Sequence, residues 1–269
     1  MRLVGEAELE DIAVGAAILG TGGGGDPYIG KLLAQEAVRR HGPVEMVEVD
    51  EVPDDAFVVP SAMMGAPTVM VEKLPRGTEV IRAFEALGNY VGRRPTHTTS
   101  IEAGGLNSTT PFVVAAQLGI PLVDADGMGR AFPEIQMIIA TMHGVNATPM
   151  TLADEKGNSA VIDTIDNSWT ERLARTLTVD FGATSMIALY PMTGKQLKAG
   201  AFVPGTISLA EELGRLVRET RAAHGDPVAA VVERMNARRL FAGKIVDVAR
   251  RTEAGWAKAE AQIAGTGDD

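Results

Sequence analysis

The chain has 269 residues, of which 45% are hydrophobic and 22% are charged, enough for one large or two ordinary domains with cores of their own. A net charge of −10 and a pI near 5.0 argue against nucleic-acid binding, which requires a basic surface. The chain contains no cysteine, which excludes disulfides, thiolate catalysis and cysteine-based metal sites.

The sequence contains no targeting or membrane segment that we can identify. The first residues lack the features of a signal peptide, and no apolar run approaches the roughly 18 residues of a membrane span. We therefore expect a cytoplasmic protein with neither a membrane nor a nucleic-acid partner.

Two amphipathic helices joined by a glycine-rich loop begin the chain. Apolar spacing predicts a helix over 8–19, and Asp26 before Pro27 predicts the N-cap of a second helix. No strand precedes the loop between them and no Gly-Lys-Ser/Thr follows, so a dinucleotide or P-loop site is rejected. A tight corner explains one or two glycines, whereas close approach to a ligand explains the whole run. The candidate substrate-binding residues of this loop are Thr21, Gly22, Gly23 and Gly24.

Alternating or continuous apolar residues predict strands over 44–49 and 56–59 and a core-facing helix over 79–91. The loop expected after the second strand, residues 61–67, is a candidate wall of a site at the strand end.

A strand–helix–strand unit over 96–126 organises the chain. The run 96–101 ends at Glu102, and the short strand 121–123 delivers Asp126. Because parallel strands end at the same rim of a sheet, Glu102 and Asp126 are the candidate general bases. Asp124, beside them, is expected to cap a helix or to support the site.

Polar residues next to these carboxylates are candidate ligands of the substrate. Thr109 or Thr110 is the expected N-cap of the helix that Pro111 begins, and the positive end of that helix favours a group that gains negative charge. Asn107 and Ser108, beside it, are assigned to substrate binding. Arg130 is assigned to a carboxylate partner, of the protein or of the substrate, or else to a surface ion pair.

A metal site is the alternative to a metal-free carboxylate catalyst. His97 and His143 fall near predicted strand ends and, with Glu102 and Asp126, could hold a divalent metal such as zinc, which lowers the pKa of bound water to about 7. Their spacing is not diagnostic, and His97 in an alternating run is also typical of an ordinary strand residue. The cofactor is otherwise unknown.

The C-terminal half mixes helices and strands. An apolar run over 135–142, a hairpin from 147 to 165, a helix from 167 or 168 to 181, a strand over 185–190, helices over 209–223 and 227–238, and two strands over 241–248 and 255–263 are expected. Two strands do not form a stable domain, so a β module that begins at about 240 looks incomplete. We divide the chain into an α/β domain, 1–168, and a mixed α/β segment, 169–269.

Four motifs in order resemble the S-methyl-thiohydantoin desulfurase family, which is associated with hydantoinase and oxoprolinase proteins: Gly20–Pro27, Glu102–Ser108, Asp124–Glu134 and Phe241–Ile245. The resemblance implies a three-layer α/β sandwich followed by a partly β C-terminal domain, which here looks truncated. It also implies hydrolysis of the C–S bond of an S-methyl thiohydantoin, giving a hydantoin and methanethiol.

Three functions remain open at this point. The first is a hydrolase for a small cyclic amide-like substrate. The second is a non-catalytic accessory or regulatory protein of hydantoin or amino-acid catabolism, and the third is a small-molecule binding protein. We expect a homo-oligomer because the terminal β segment is short.

Overall fold

A computed structural model describes residues 1–66, 69, 72–73, 75–253 and 256–265. Within these residues the helices are α1 (Glu6–Gly20), α2 (Pro27–His41), α3 (Glu79–Val91), α4 (Thr110–Leu118), α5 (Ile139–Met142), α6 (Asn167–Asp180), α7 (Gly194–Gln196), α8 (Thr206–Ala222) and α9 (Pro227–Arg234). The strands are β1 (Arg2–Val4), β2 (Val44–Val47), β3 (Phe57–Gly65), β4 (His97–Ser100), β5 (Leu122–Val123), β6 (Ala125–Asp126), β7 (Met150–Ala153), β8 (Ser159–Ile162), β9 (Thr184–Ala188), β10 (Met192–Thr193), β11 (Val203–Pro204), β12 (Gly243–Glu253) and β13 (Trp256–Gly265).

A mixed sheet in the order β1-β2-β5-β4-β3-β9-β7-β8 runs through the molecule, and β10 also pairs with β3. Its central strands β2, β5, β4 and β3 are parallel. The outer pairs are antiparallel. The predicted parallel α/β unit is thus present, and its strands end at the rim that carries Glu102.

Each face of the sheet packs against its own core. Along β3, Val59 and Met63 belong to the core that α2, α3 and α4 cover, whereas Val58 and Met64 belong to a second core with residues of α6. Burial on both faces explains why β3 carries apolar residues on both faces and does not alternate with exposed polar residues. Helices on both faces agree with the expected α/β sandwich.

Several predicted elements are confirmed and one was wrong. Asp26 caps α2 by accepting a hydrogen bond from the Tyr28 amide at 2.9 Å. Residues 61–65, predicted as a loop, continue β3, and Pro67 lies outside the described residues. The apolar run 135–142, for which no element was predicted, forms a 3-10 turn and α5; Ile135 and Ile138 are buried, and Met142 is 85% exposed.

Strands from both sides of the predicted domain boundary at 168 share the main sheet, since β9 pairs between β3 and β7. Farther along, α8 packs closely on α1: a Cβ on Gly15 would lie 1.7 Å from the Ala210 carbonyl oxygen. The two predicted C-terminal strands form the antiparallel pair β12–β13. No helix in the described ranges is both long and apolar enough to span a bilayer.

Candidate functional site

The glycine-rich loop packs directly on the Gly104-Gly105 turn that follows Glu102. A Cβ on Gly24 would lie 2.4 Å from the Gly104 carbonyl oxygen, and a Cβ on Gly105 would lie 2.3 Å from the Gly24 carbonyl carbon. The Leu106 amide donates to the Gly24 carbonyl at 3.0 Å. Gly23 approaches a third loop, the one that contains Ala131, in the same way: a Cβ on Gly23 would lie 2.7 Å from the Ala131 Cβ. The absence of side chains therefore brings three loops, distant in sequence, into contact.

Gly22 has a different setting. Its φ is +94°, and a Cβ built on it would meet nothing within 4 Å. Thr21, next to it, is exposed and has a φ of 47°. Within the described part of the chain, the amides of Gly22, Gly24 and Gly25 donate no hydrogen bond to the protein. The loop therefore offers backbone donors as well as a close packing surface.

A cavity of about 370 Å³ lies where these loops meet the ends of β3, β4 and β9. Its wall contains most of the glycine loop, one predicted carboxylate, an ion pair from α6 and a set of apolar side chains. The lining residues are Gly20, Thr21, Gly22, Gly23, Gly24, Gly25, Met63, Met64, Gly65, Ile101, Glu102, Asn107, Ala131, Phe132, Pro133, Ile135, Glu171, Arg175, Ile187 and Leu189.

Glu102 is the predicted carboxylate in this wall. Its residue is 5% exposed, its Oε1 accepts a hydrogen bond from Asn107 Nδ2 at 2.7 Å, and its Oε2 accepts one from the Phe132 amide at 2.9 Å. Burial raises the pKa of Glu102 to about 7; the Phe132 and Asn107 hydrogen bonds oppose this rise, and the nearby Asp126 charge adds to it. Both protonation states are therefore populated near neutral pH, as a general acid or base requires.

Asn107 fixes the orientation of Glu102. The last residue pair of β3 with β4 is Ser61 with Ser100, so the Met63 peptide groups extend beyond the end of β4. Asn107 takes the place of a strand there: its Oδ1 accepts from the Met63 amide at 2.7 Å and its Nδ2 donates to the Met63 carbonyl at 3.1 Å. The Met63 N–H requires an acceptor, so the Asn107 side-chain oxygen must face Met63. The Asn107 amide nitrogen is then the atom that faces Glu102.

Residues 132–135 form a wall that several side chains hold in place. Besides the Phe132 amide bound by Glu102, the Ile135 amide donates to Glu171 Oε2 at 3.0 Å, and Arg175 Nη2 donates to the Pro133 carbonyl at 3.2 Å. The Tyr190 hydroxyl donates to the Ile135 carbonyl at 2.9 Å. Sequence reasoning missed Glu171, Arg175 and Tyr190. Glu171 and Arg175 are spaced i, i+4 in α6, which by itself indicates only a surface pair.

Asp126 does not line the cavity, and its assignment as a second general base needs correction. It is fully buried, its Oδ2 accepts from the Ala103 amide at 2.5 Å and its Oδ1 accepts from the Gly129 amide at 2.7 Å. Burial raises the pKa of Asp126 to about 6, while these backbone hydrogen bonds oppose the rise. Asp126 thus holds the turn after Glu102. Asp124 caps α8, as expected, by accepting from the Ile207 amide at 2.9 Å.

Two further predicted substrate ligands lie outside the cavity. Ser108 is fully buried in the 3-10 turn Gly105–Ser108, which separates Glu102 from the start of α4. Arg130 is exposed, and its Nη1 donates to the Ala131 carbonyl at 2.7 Å. Both residue types suited the predicted role, but neither residue lines the cavity, although each is next in sequence to one that does, Asn107 and Ala131.

The candidate metal ligands are not brought together. His97 begins β4, at the opposite end of that strand from Glu102 and roughly 10 Å from Ser100 along it; its Nδ1 lies 2.9 Å from the Thr96 hydroxyl. His143 follows α5 and is exposed. In the described residues no three histidine, aspartate or glutamate side chains form a group suited to a metal ion. The predicted His97/His143 site was therefore wrong in its geometry.

The fold and site define a mixed α/β protein with a glycine-lined cavity and one buried carboxylate that titrates near neutral pH. The chain belongs to the S-Me-THD-like family: the family's N-terminal domain matches residues 7–164 and its C-terminal domain matches residues 165–269. The resemblance to the S-methyl-thiohydantoin desulfurase family is thereby confirmed. The expectation of a truncated C-terminal domain is not supported, because the C-terminal family model extends over 165–269.

A solved structure has the same fold. The crystal structure of a protein from Chromobacterium violaceum is 28% identical to this chain, with a TM-score of 0.73 over 92% of this chain and 69% of that one. No curated protein matches the chain.

Proposed function

We propose that the protein is a hydrolase that cleaves the C–S bond of an S-methyl thiohydantoin to give a hydantoin and methanethiol. The family name supports a thiohydantoin-related function. The observation that carries the proposal is Glu102: a buried carboxylate with a pKa of about 7 that lines a cavity beside backbone donors. A cavity of about 370 Å³ is within the usual range for small ligands, roughly 300–1,000 Å³.

In the first step, ionised Glu102 takes a proton from a water molecule whose oxygen attacks the ring carbon that carries the methylthio group. The C=N electron pair moves to the ring nitrogen as the new C–O bond forms. The Gly22, Gly24 and Gly25 amides supply hydrogen-bond donors for the charge that develops. Asn107 keeps Glu102 Oε1 in place during this step, because its own orientation is fixed by Met63.

In the second step, the C–S bond breaks and its electron pair leaves with sulfur, which Glu102 protonates as a general acid. The water oxygen becomes the new carbonyl oxygen of the hydantoin. Of the two water protons, one ends on methanethiol through Glu102 and the other on the ring nitrogen, so the carboxylate is regenerated. A pKa near the working pH suits a group that must both accept and return this proton.

Thiol release from an S-methyl thiohydantoin, measured with a chromogenic thiol reagent, tests the proposal. The assay is run with chelator and with added zinc, so that a metal requirement is measured directly. We expect turnover by the natural protein and a loss of about 100-fold or more for Glu102→Gln. Glu134→Gln is the matched control, since Glu134 lies next to the same wall but outside the cavity. No thiol release under any of these conditions would refute the proposal and favour an accessory, non-catalytic role.

A further inference from the structure

The cavity is polar at its mouth and apolar at its base. The glycine loop lies at the mouth, where Gly22 is exposed and the backbone amides are directed to a ligand. At the ends of β4 and β9 the wall consists of Ile101, Ile187 and Leu189, which are only 4%, 3% and 0% exposed. These three residues form what we term the apolar floor. The two ends of the cavity therefore suit different parts of a ligand.

The main sheet holds the apolar floor in place. Ile187 lies in β9, which pairs with β3 on one side and with β7 on the other. The Leu189 amide donates to the Pro60 carbonyl at 3.3 Å, and the Ile101 carbonyl accepts from the Gly127 amide at 3.0 Å. All three side chains belong to the same core. Because their backbone is bonded within the protein, they present a closely packed hydrocarbon surface to a ligand.

Glu102 lies between the mouth and the floor. It directly follows Ile101 in sequence, and the Gly104-Gly105 turn after it packs on Gly24. A ligand atom that exchanges a proton with Glu102 therefore has the amides of the glycine loop on one side and the apolar floor on the other.

This arrangement orients an S-methyl thiohydantoin. Its ring N–H and C=O groups would lose hydrogen bonds against hydrocarbon, whereas the amides of the glycine loop can bind a ring oxygen or nitrogen. The methylthio group is the most apolar part of the molecule and gains most from burial, and its sulfur must stay within reach of Glu102. The Glu171–Arg175 pair, joined at 2.7 Å, is a poor neighbour for a methyl group. The methylthio group therefore faces the floor.

We infer that the apolar floor is the subsite of the leaving group, and that Ile187 restricts the S-alkyl group to methyl. This inference rests on the proposed function for its ligand class. A longer alkyl chain meets Ile187, which is backed by the packed core on its face of the sheet. The chain must then overpack that core or move the ring away from Glu102, and either change lowers the rate.

Matched S-methyl and S-propyl thiohydantoins with the same ring substituent test the inference. The two thiolates are leaving groups of similar strength, and the hydrolysis of each compound in alkali without protein corrects for any intrinsic difference. We expect kcat/KM of the natural protein to be at least about tenfold lower for the S-propyl compound. Ile187→Ala, which removes most of the side chain that the propyl group meets, should reduce this difference to less than about threefold.

Ile187→Val is a milder second variant, because it keeps a β-branched side chain in the strand and leaves a smaller cavity. It should relax the discrimination against an S-ethyl compound in the same direction. Ile162→Ala is the matched control. Ile162 is 5% exposed and belongs to the same core, but it does not line the cavity. This variant also opens space in the core, and it should keep the S-methyl preference of the natural protein.

Binding measurements separate the inference from the proposed function. Calorimetry with Glu102→Gln, in which turnover is blocked, should show the S-methyl compound binding about tenfold or more tightly than the S-propyl compound. Equal kcat/KM for the two compounds, or an unchanged preference in both Ile187 variants, would overturn the inference and leave the function standing. A binding preference that Ile187→Ala abolishes, without any thiol release by the natural protein, would keep the subsite and remove the function. Neither binding nor thiol release would overturn both.

Discussion

Replacing Asn107 by alanine should both destabilise the protein and shift the pH dependence of turnover. The side chain, in a residue 4% exposed, satisfies the Met63 amide at 2.7 Å and Glu102 Oε1 at 2.7 Å. Each buried polar group left unpaired costs roughly 1–3 kcal/mol. We therefore expect the free energy of unfolding to fall by about 3 kcal/mol, measured by urea denaturation.

The kinetic part of this prediction has a definite sign. Asn107 lowers the pKa of Glu102, so its removal should raise that pKa above about 7. Less of the ionised base is then available at neutral pH, and the rising limb of kcat/KM against pH should move to higher pH. Activity should recover in part at alkaline pH, because enough of the carboxylate then ionises.

Asn158→Ala is the matched control, because Asn158 Nδ2 makes a similar hydrogen bond, 2.7 Å to Asp154 Oδ2, in the β7–β8 hairpin outside the cavity. It should cost stability without moving the pH profile. An Asn107→Ala protein that folds and keeps the pH profile of the natural protein would refute the link between Asn107 and the titration of Glu102.

Three further predictions concern stability. Gly24→Ala should cost more than Gly42→Ala by roughly 2 kcal/mol or more, since both glycines have a positive φ but only the Gly24 Cβ would meet backbone, 2.4 Å from Gly104; equal losses in urea melts would contradict the packing argument. The pKa of Glu102 is raised from 4.5 to about 7, so the folded state favours the protonated carboxyl. The contribution of this group to the free energy of unfolding is therefore complete below pH 4.5 and is lost as pH rises through 7. As pH rises over that range, the free energy of unfolding of Glu102→Gln should therefore increase by roughly 3 kcal/mol relative to that of the natural protein. A difference between the two proteins that stays constant across pH would rule this out. Asp126→Asn keeps only one acceptor oxygen for two backbone amides and should cost about 1–3 kcal/mol; an unchanged midpoint of thermal unfolding would show that its turn does not need both bonds.

Local sequence predicted those parts of the site that depend on local chemistry. The cap at Asp26, the helices and the end of β4 follow from spacing and from proline positions, because these signals act within a few residues. Glu171 and Arg175 could not be found in the same way. Their place in the cavity wall depends on α6 packing against residues 132–135, more than thirty residues earlier in the chain.

The two predicted carboxylates show why a position at a strand end is not sufficient for a role in a site. Glu102 and Asp126 both follow parallel strands and both are buried with a raised pKa. Asp126 has the shorter side chain, and both its oxygens accept hydrogen bonds from backbone amides of the two nearest loops. Its carboxylate therefore fixes the conformation of those loops. Glu102 also accepts two hydrogen bonds, but it lies in the cavity wall, where the remaining lone pairs of its oxygens are available to a ligand or to water.

The glycine run required both of the interpretations that its sequence left open. Gly23 and Gly24 are needed for packing, because any side chain there would overlap Ala131 or the Gly104 backbone. Gly22 meets no such contact, and yet it lies in the same cavity wall, and its amide donates to no acceptor among the residues that the structure describes. The packing glycines place the loop against the turn that follows Glu102, and only in that position do the backbone donors share a cavity with the carboxylate. A loop of the same length with side chains at 23 and 24 would separate the two groups, so the structural glycines are a condition for the proposed chemistry.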